Sequence, residues 1–339
     1  MIERNDAARA LTNADRWHDA GYTGKDVHVV IIDTKSTPHD HMTYASAPLL
    51  DGTHVGHGTN TAQVIHEFAP GARVTMVMSV QDGRDWIAAH KDDIDLINVS
   101  MSASKSLAEH GYSEMEAYDI PLICSSGNDG DDGRTNYPAR FPWTIAVGAY
   151  EYKHERIANY SNGGARLDCV ATTDIYVWNS EKRPHKFNGT SAAAPSATGL
   201  LACWTQWRKE QGLGRPTTEE ARAFIHENCI DLLDEGFDYK SGHGLFILPK
   251  EIPTTPESEK DVGDVEKPKN DPKEDDNMPK KETKEFTDVP PDFWAHDAIQ
   301  DCVEAGLLSG YSDGTFRPNN NLTRAQFCAI MAKFMKKHT

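Results

Sequence analysis

Cysteine is scarce in this chain, with six among 339 residues. The spacing fits neither a metal pattern nor a dense disulfide scaffold, and Cys124, Cys169 and Cys203 read as buried small hydrophobes. No apolar run is long enough to cross a bilayer. The opening Met1-Ile2-Glu3-Arg4-Asn5-Asp6 starts a polar segment without the apolar stretch of a signal peptide. Positive charge is short too. Thirty-five Lys and Arg against 52 Asp and Glu give a formal net charge of -17, which argues against nucleic acid or an anionic membrane as partner. Free thiols and a missing leader point to folding in a reducing cytoplasm.

Bulky apolar side chains are nearly missing from residues 251 to 285, which are rich in Glu, Asp, Lys and Pro. Such a stretch cannot bury enough surface to offset its ordering entropy, so it reads as a disordered acidic linker. It divides the chain into residues 1–250, ample for one α/β domain, and residues 286–339, sized for a small all-α module.

Within the larger part, Asn188-Gly189-Thr190-Ser191-Ala192-Ala193-Ala194-Pro195 presents a serine at a Gly-flanked bend that feeds a helix-favouring segment. A serine hydroxyl is a poor nucleophile near neutral pH and needs a base within reach and donors for the oxyanion it creates. A first helical turn offers unpartnered N–H groups and partial positive charge, and Pro195 is expected in that turn, where its missing N–H is not needed. A capped core helix would account for the octapeptide equally well. Upstream, Val27 to Ile32 reads as a buried parallel strand that ends at Asp33, placing a carboxylate on the ligand-binding rim of an open α/β sheet. His57-Gly58-Thr59-Asn60 opens a segment with Ala62, Val64, Ile65 and Phe68 at helical spacing. Residues 94–99 read as another buried strand, and residues 122–130 as a strand running into a tight turn, where Asn128 offers an amide donor. His39, His41 and His54 crowd the same stretch as His57, but no pair has the i, i+4 spacing of the zinc-protease motif, so no metal site is assigned. His57, at a helix start, is the better base; the other three read as loop surface.

The blocks around Asp33, His57, Asn128 and Ser191, in that order, resemble the signature blocks of the subtilisin-like serine proteases, the subtilases. Connecting stretches are similar as well, among them Gly21-Tyr22-Thr23-Gly24, Ala69-Pro70-Gly71-Ala72 and Gly242-His243-Gly244-Leu245. The resemblance covers roughly residues 20 to 249. It implies a mostly parallel sheet flanked by helices, and a serine endopeptidase acting on protein or peptide substrates. Ser191 would be the nucleophile, His57 the base, Asp33 its orienting carboxylate and Asn128 the oxyanion donor. Ser100, Met101 and Ser102 would form an edge for an extended peptide, and Ser125, Ser126 and Gly127 a wall of the primary specificity pocket. Asp129, Asp131 and Asp132 make that pocket mouth acidic, which implies either a tilt towards basic or polar side chains or simply solvated charge.

The chain departs from the family pattern in three places. Lys35 stands where a glycine usually follows the Asp-Thr pair, Asn60 where a second histidine is common, and Ala192, Ala194 and Ser196 replace a Met-x-Ser-Pro-His pattern. The cation beside Asp33 is the basis of an alternative, a catalytically silent wall-binding or scaffolding protein. No cofactor is required by the resemblance. Calcium is possible, but the stretch from His57 to Ala69 lacks the insertion that forms the usual tight calcium loop.

Residues 286 to 337 resemble one S-layer homology module, a unit that binds anionic secondary polymers of bacterial cell walls. Arg324 would supply a forked contact to the polymer and Trp294 a stacking surface or core ring. A single copy, where three commonly pack together, implies self-association. The module points outside the cell, to the wall or medium. About 25 residues before the Asp strand leave no room for the prodomain of secreted relatives, so the expected routes are release by lysis from the cytoplasm, an uncommon export route, or upstream sequence beyond this start.

Overall fold

A computed structural model describes residues 1–34, 42–44, 56–78, 80–253, 286–290, 296–305, 307–310, 314–316 and 333. Lys35, His39, His41, His54, Trp294, Arg324 and the proposed linker beyond residue 253 lie outside them. The chain divides into two compact units, Met1–Lys260 and Asp261–Thr339.

In the first unit the short apolar runs become parallel strands. They are β1 (His28–Ile32), β2 (Met42–Tyr44), β3 (Arg73–Val77), β4 (Leu96–Val99), β5 (Leu122–Ser125) and β6 (Ile145–Glu151). Further along come β7 (Arg156–Ile157), β8 (Cys169–Thr172), β9 (Ile175–Trp178), β10 (Pro184–Phe187), β11 (Cys229–Ile230) and β12 (Leu245–Phe246). Among the described residues ten of these form one sheet in the order β11-β12-β8-β6-β5-β4-β1-β3-β2, with β7 paired to β6. Every pair along it is parallel except β11 with β12 and β6 with β7.

The helices are α1 (Asp6–Leu11), α2 (Ala14–Asp19), α3 (His57–Phe68), α4 (Val80–His90), α5 (Lys105–Tyr112), α6 (Thr190–Glu210) and α7 (Thr218–Glu227). Strand β1 shows why a continuous apolar run suits the middle of such a sheet. Val29 and Ile31 join the cluster containing Val64, Ile65 and Phe68 of α3 and Leu200 and Leu201 of α6. Val30 and Ile32 face the opposite cluster, with Ile87 of α4 and Ala108 and Tyr112 of α5. A parallel sheet covered on both faces leaves no position in its central strands for a polar alternation.

Helix α6 crosses the core beside α3 and packs tightly on it at Gly199, where an added Cβ would lie 2.6 Å from the Phe68 Cβ. Pro195 corrects the sequence expectation. It is the sixth residue of α6, beyond the first turn, so the Ser191 carbonyl has no N–H four residues on to accept from. A helix that starts at Thr190 puts Ser191 second and moves the proline inward.

Strands β9 and β10 form a separate antiparallel hairpin. The edge of β9 away from β10 is closed by two side-chain amides. Asn5 Oδ1 accepts from the Tyr176 N–H at 2.8 Å and its Nδ2 donates to the Tyr176 carbonyl at 2.9 Å. Gln63 repeats the arrangement on Trp178, accepting its N–H at 2.7 Å and donating to its carbonyl at 3.1 Å. Alternate residues of an edge strand point their N–H and C=O outward, and the amides occupy the place of a neighbouring strand.

In the second unit, α8 (His296–Glu304) presents Ile299 to a small cluster with Phe286 and Val289, against which Val303 and Phe316 pack. The Phe316 N–H donates to Asp288 Oδ1 at 2.8 Å. Residues 317–332 and 334–339 lie outside the described residues.

Candidate active site

All four signature residues stand where β1, β5 and the helices α3 and α6 meet the carboxyl rim of the sheet. Asp33 follows β1 directly and is fully buried. A buried carboxylate must find donors, and among the described residues four groups reach it, the Thr34 hydroxyl the most distant at 3.5 Å. The Thr34 N–H donates to Oδ1 at 2.7 Å, the Thr61 hydroxyl to Oδ2 at 3.4 Å, and His57 Nδ1 lies 2.8 Å from Oδ2 and 3.0 Å from Oδ1. Because a carboxylate only accepts, Nδ1 carries the hydrogen and Nε2 is left as the basic nitrogen.

His57 is the first residue of α3 and half-buried, with its ring edge-on to Phe187 at 5.3 Å. Burial pushes its pKa down, but the hydrogen bond and the charge of Asp33 outweigh burial and hold it above the ordinary histidine value. Among the described residues, His57 is the only ion-pair partner of Asp33.

Ser191 stands in the first turn of α6, after Gly189. Gly189 has φ +84, a left-handed conformation that favours glycine, and a Cβ there would sit 3.4 Å from the Asn128 amide. The Ser191 hydroxyl donates to the Ser100 carbonyl at 3.2 Å. Among the described residues no hydrogen bond joins it to His57. Asn128 is exposed just beyond β5. Its Oδ1 accepts from both the Thr190 N–H, at 2.9 Å, and the Thr190 hydroxyl, at 3.0 Å. Since a backbone N–H can only donate, the amide orientation is fixed and Nδ2 faces away from Thr190.

Of the expected substrate contacts, Ser100 is buried after β4, Met101 is half-buried and Ser102 exposed. Ala103, one residue further on, forms an isolated antiparallel bridge with Tyr137. Ser125, Ser126 and Gly127 are buried at the end of β5, and the Ser126 hydroxyl donates inward to the Asn162 carbonyl at 2.8 Å. The acidic turn is largely occupied with its own structure. Asp129 accepts from Asn136 at 2.8 Å and Asn162 at 3.1 Å, Asp131 from the Gly133 N–H at 3.0 Å, and Asp132 pairs with Lys240 at 3.2 Å. Among the described residues no group of three or more His, Cys, Asp or Glu is arranged to hold a metal ion.

Sequence reasoning missed Thr61, Thr190 and Phe187. Thr190 adjoins the serine and Thr61 lies one helical turn from His57, so the spacing carried both signals; nothing local marks Phe187.

Residues 25–244 match the model of the subtilase family. The chain belongs to that family. Residues 285–328 match the S-layer homology domain. Among relatives, the chain is 27% identical over 253 residues to the minor extracellular protease Epr of Bacillus subtilis (strain 168), covering 67% of this chain and 38% of that protein. It is 30% identical over 227 residues to subtilisin E of the same strain, covering 56% of this chain and 58% of that one. The chain thus spans less than two thirds of either relative. Two solved structures share the fold of this subtilase unit. A lanthipeptide protease has a TM-score of 0.60 at 18% identity, over 72% of this chain and 93% of that one. The prenylagaramide maturation protease PagA has a TM-score of 0.56 at 20% identity, over 69% and 94%.

Proposed function

We propose that this subtilase is a serine endopeptidase whose first unit cleaves peptide bonds and whose second binds an anionic cell-wall polymer. The observation that carries the catalytic reading is the bond between His57 Nδ1 and the buried Asp33, which leaves Nε2 as a base at the rim where Ser191 opens α6. Ser191 Oγ attacks the scissile carbonyl carbon while its proton passes to His57 Nε2. Asp33 stabilises the imidazolium, and the Asn128 Nδ2 and the Ser191 N–H donate to the oxyanion. The imidazolium then protonates the leaving amine as the C–N bond breaks. Water repeats the sequence on the acyl-enzyme and restores the serine. For this the Ser191 hydroxyl exchanges the Ser100 carbonyl for His57, a rotation consistent with hydrogen bonds that tighten only in the substrate complex.

By the same reading Ser100, Met101 and Ser102 offer the backbone edge for the substrate, and Ser125, Ser126 and Gly127 a pocket wall. Arg324 and Trp294 are the proposed polymer contacts, and self-association of the module would strengthen them by avidity. The proposed chemistry requires no cofactor. No helix among the described residues is long and apolar enough to cross a membrane. Treatment with a fluorophosphonate probe tests the catalytic reading: Ser191 should be labelled, and Ser191→Ala should lose the label and peptide hydrolysis together. A folded wild type that takes no label would leave the silent wall-binding protein as the surviving reading.

A further inference from the structure

We propose that Gln63 is a positioning residue for His57, acting through the β9–β10 hairpin; this rests on the protease reading above. Gln63 lies six residues after His57 on α3, on the helix that carries the base. Its amide grips Trp178 through both backbone groups. Trp178 is the last residue of β9, and β10 pairs with β9 in the register Trp178 to Pro184 and Ile175 to Phe187. Phe187 in turn lies against the His57 ring and stands four residues before Ser191.

One clamp therefore joins the element that presents the base to the strand that feeds the nucleophile. Asp33 fixes only Nδ1, which leaves the imidazole free to swing about that bond. Phe187 limits the swing, and its place depends on the register that Gln63 holds between the hairpin and α3. Asn5 grips the same edge of β9 at Tyr176 but belongs to the segment preceding α1, and its side chain meets α3 only near that helix's far end, at Glu67, ten residues from His57. The two amides form an internal control, since both support the strand, but Gln63 joins it to α3 within two turns of His57 and Asn5 reaches α3 only at Glu67.

The test compares wild type, Gln63→Ala, Gln63→Glu and Asn5→Ala, at a temperature where all are folded. Hydrolysis of a chromogenic peptide substrate is measured against pH, and the His57 imidazole titration is followed by NMR. Gln63→Ala should lower kcat about three- to tenfold with little change in KM, as expected of a sub-ångström misplacement. It should also raise the His57 midpoint, because loosening Phe187 relieves the burial that lowers it. Gln63→Glu keeps the acceptor for the Trp178 N–H and should fall between. Asn5→Ala should lower Tm and leave the His57 midpoint where it was. An unchanged His57 titration in Gln63→Ala, or an equal shift in Asn5→Ala, would overturn the proposal. If the wild type takes no fluorophosphonate label, the protease reading fails, yet the NMR comparison still decides the role of Gln63.

Discussion

At the carboxyl rim of the sheet Asp33 bonds His57; at the amino rim Asp168, just before β8, bonds His226 at 3.0 Å. Both carboxylates are buried and both imidazoles are partly open. The difference lies in what else each carboxylate holds. Asp168 Oδ1 also accepts from Arg222 Nε at 3.1 Å, and Oδ2 from the Ala146 N–H at 2.8 Å. Arg222 goes on to the carbonyls of Pro142 and Thr144, at 3.0 and 2.8 Å. A permanent cation neutralises Asp168, and the network ties α7 to the starts of β6 and β8. Asp33 has only neutral donors apart from His57, so within the described residues its charge is compensated when the imidazole gains a proton. The second nitrogen sharpens the contrast. His226 stacks on His243 at 3.7 Å, whereas the ring of His57 stands at the rim that Ser191 and Asn128 share. On the proposed mechanism, an Asp–His contact becomes a base only where the carboxylate charge is unspent and the far nitrogen has something to act on.

The most severe way to break this contrast is to neutralise each carboxylate in turn. Asp33→Asn should cut kcat by about 10⁴, the size seen when the imidazole loses its orienting charge, with a small change in Tm. Asp168→Asn should leave kcat of the folded protein close to wild type but cost about 3 kcal/mol of stability, since Arg222 would be left beside a neutral amide. Denaturant titration and steady-state kinetics on both variants check the pair. Comparable catalytic losses in the two would mean that the rims are not functionally distinct.

Removing the proposed oxyanion donor is the next largest cut. Asn128→Ala should lower kcat about 10²- to 10³-fold with KM nearly unchanged, because the donor matters only once the carbonyl oxygen carries charge. Asn162 is the matching amide buried inside the same turn, bonded to the Asp129 N–H at 2.9 Å and the Asp131 N–H at 3.1 Å. Asn162→Ala should instead lower stability by about 1–3 kcal/mol, leaving those N–H groups unpaired. Kinetics at matched folded fraction separate the two amides.

Much of the rim could be read from the chain alone, and the reason is local. Asp33, Asn128 and Ser191 each sit at the end of a strand or the start of a helix, where a few neighbouring residues set both element and exposure. The parallel sheet was legible for the same reason: β1, β4 and β5 are short apolar runs with turn signals behind them. The hairpin was not. Its contacts link Asn5 to Tyr176, Gln63 to Trp178 and His57 to Phe187, pairs more than a hundred residues apart, and no local pattern encodes them. Pro195 failed differently. Helical spacing fixes which residues share a face but leaves the first residue uncertain by several positions, and that uncertainty moved the proline from an interior position into the first turn.

The smallest expected effect is a shift in pH dependence, and it separates the two rims without disabling the enzyme's fold. On the proposed mechanism His57 must be neutral to accept the Ser191 proton. With the bond and charge of Asp33 outweighing burial, its pKa stands above the ordinary value of about 6.5, so kcat/KM should climb with pH and reach half its maximum above that point. Asp33→Asn removes both raising causes and leaves burial, so the residual activity should reach half-maximum at a lower pH than in wild type. Asp168→Asn should leave the midpoint in place. Stability runs the other way. A histidine whose folded pKa is raised contributes stability that is complete below its unfolded pKa and is lost as pH rises through the folded one. The Asp33–His57 bond therefore supports the fold most where His57 is protonated and cannot act as a base. Melting curves across the pH range of the kinetic limb should show wild type losing a small stability increment as activity appears, and Asp33→Asn should lack that loss.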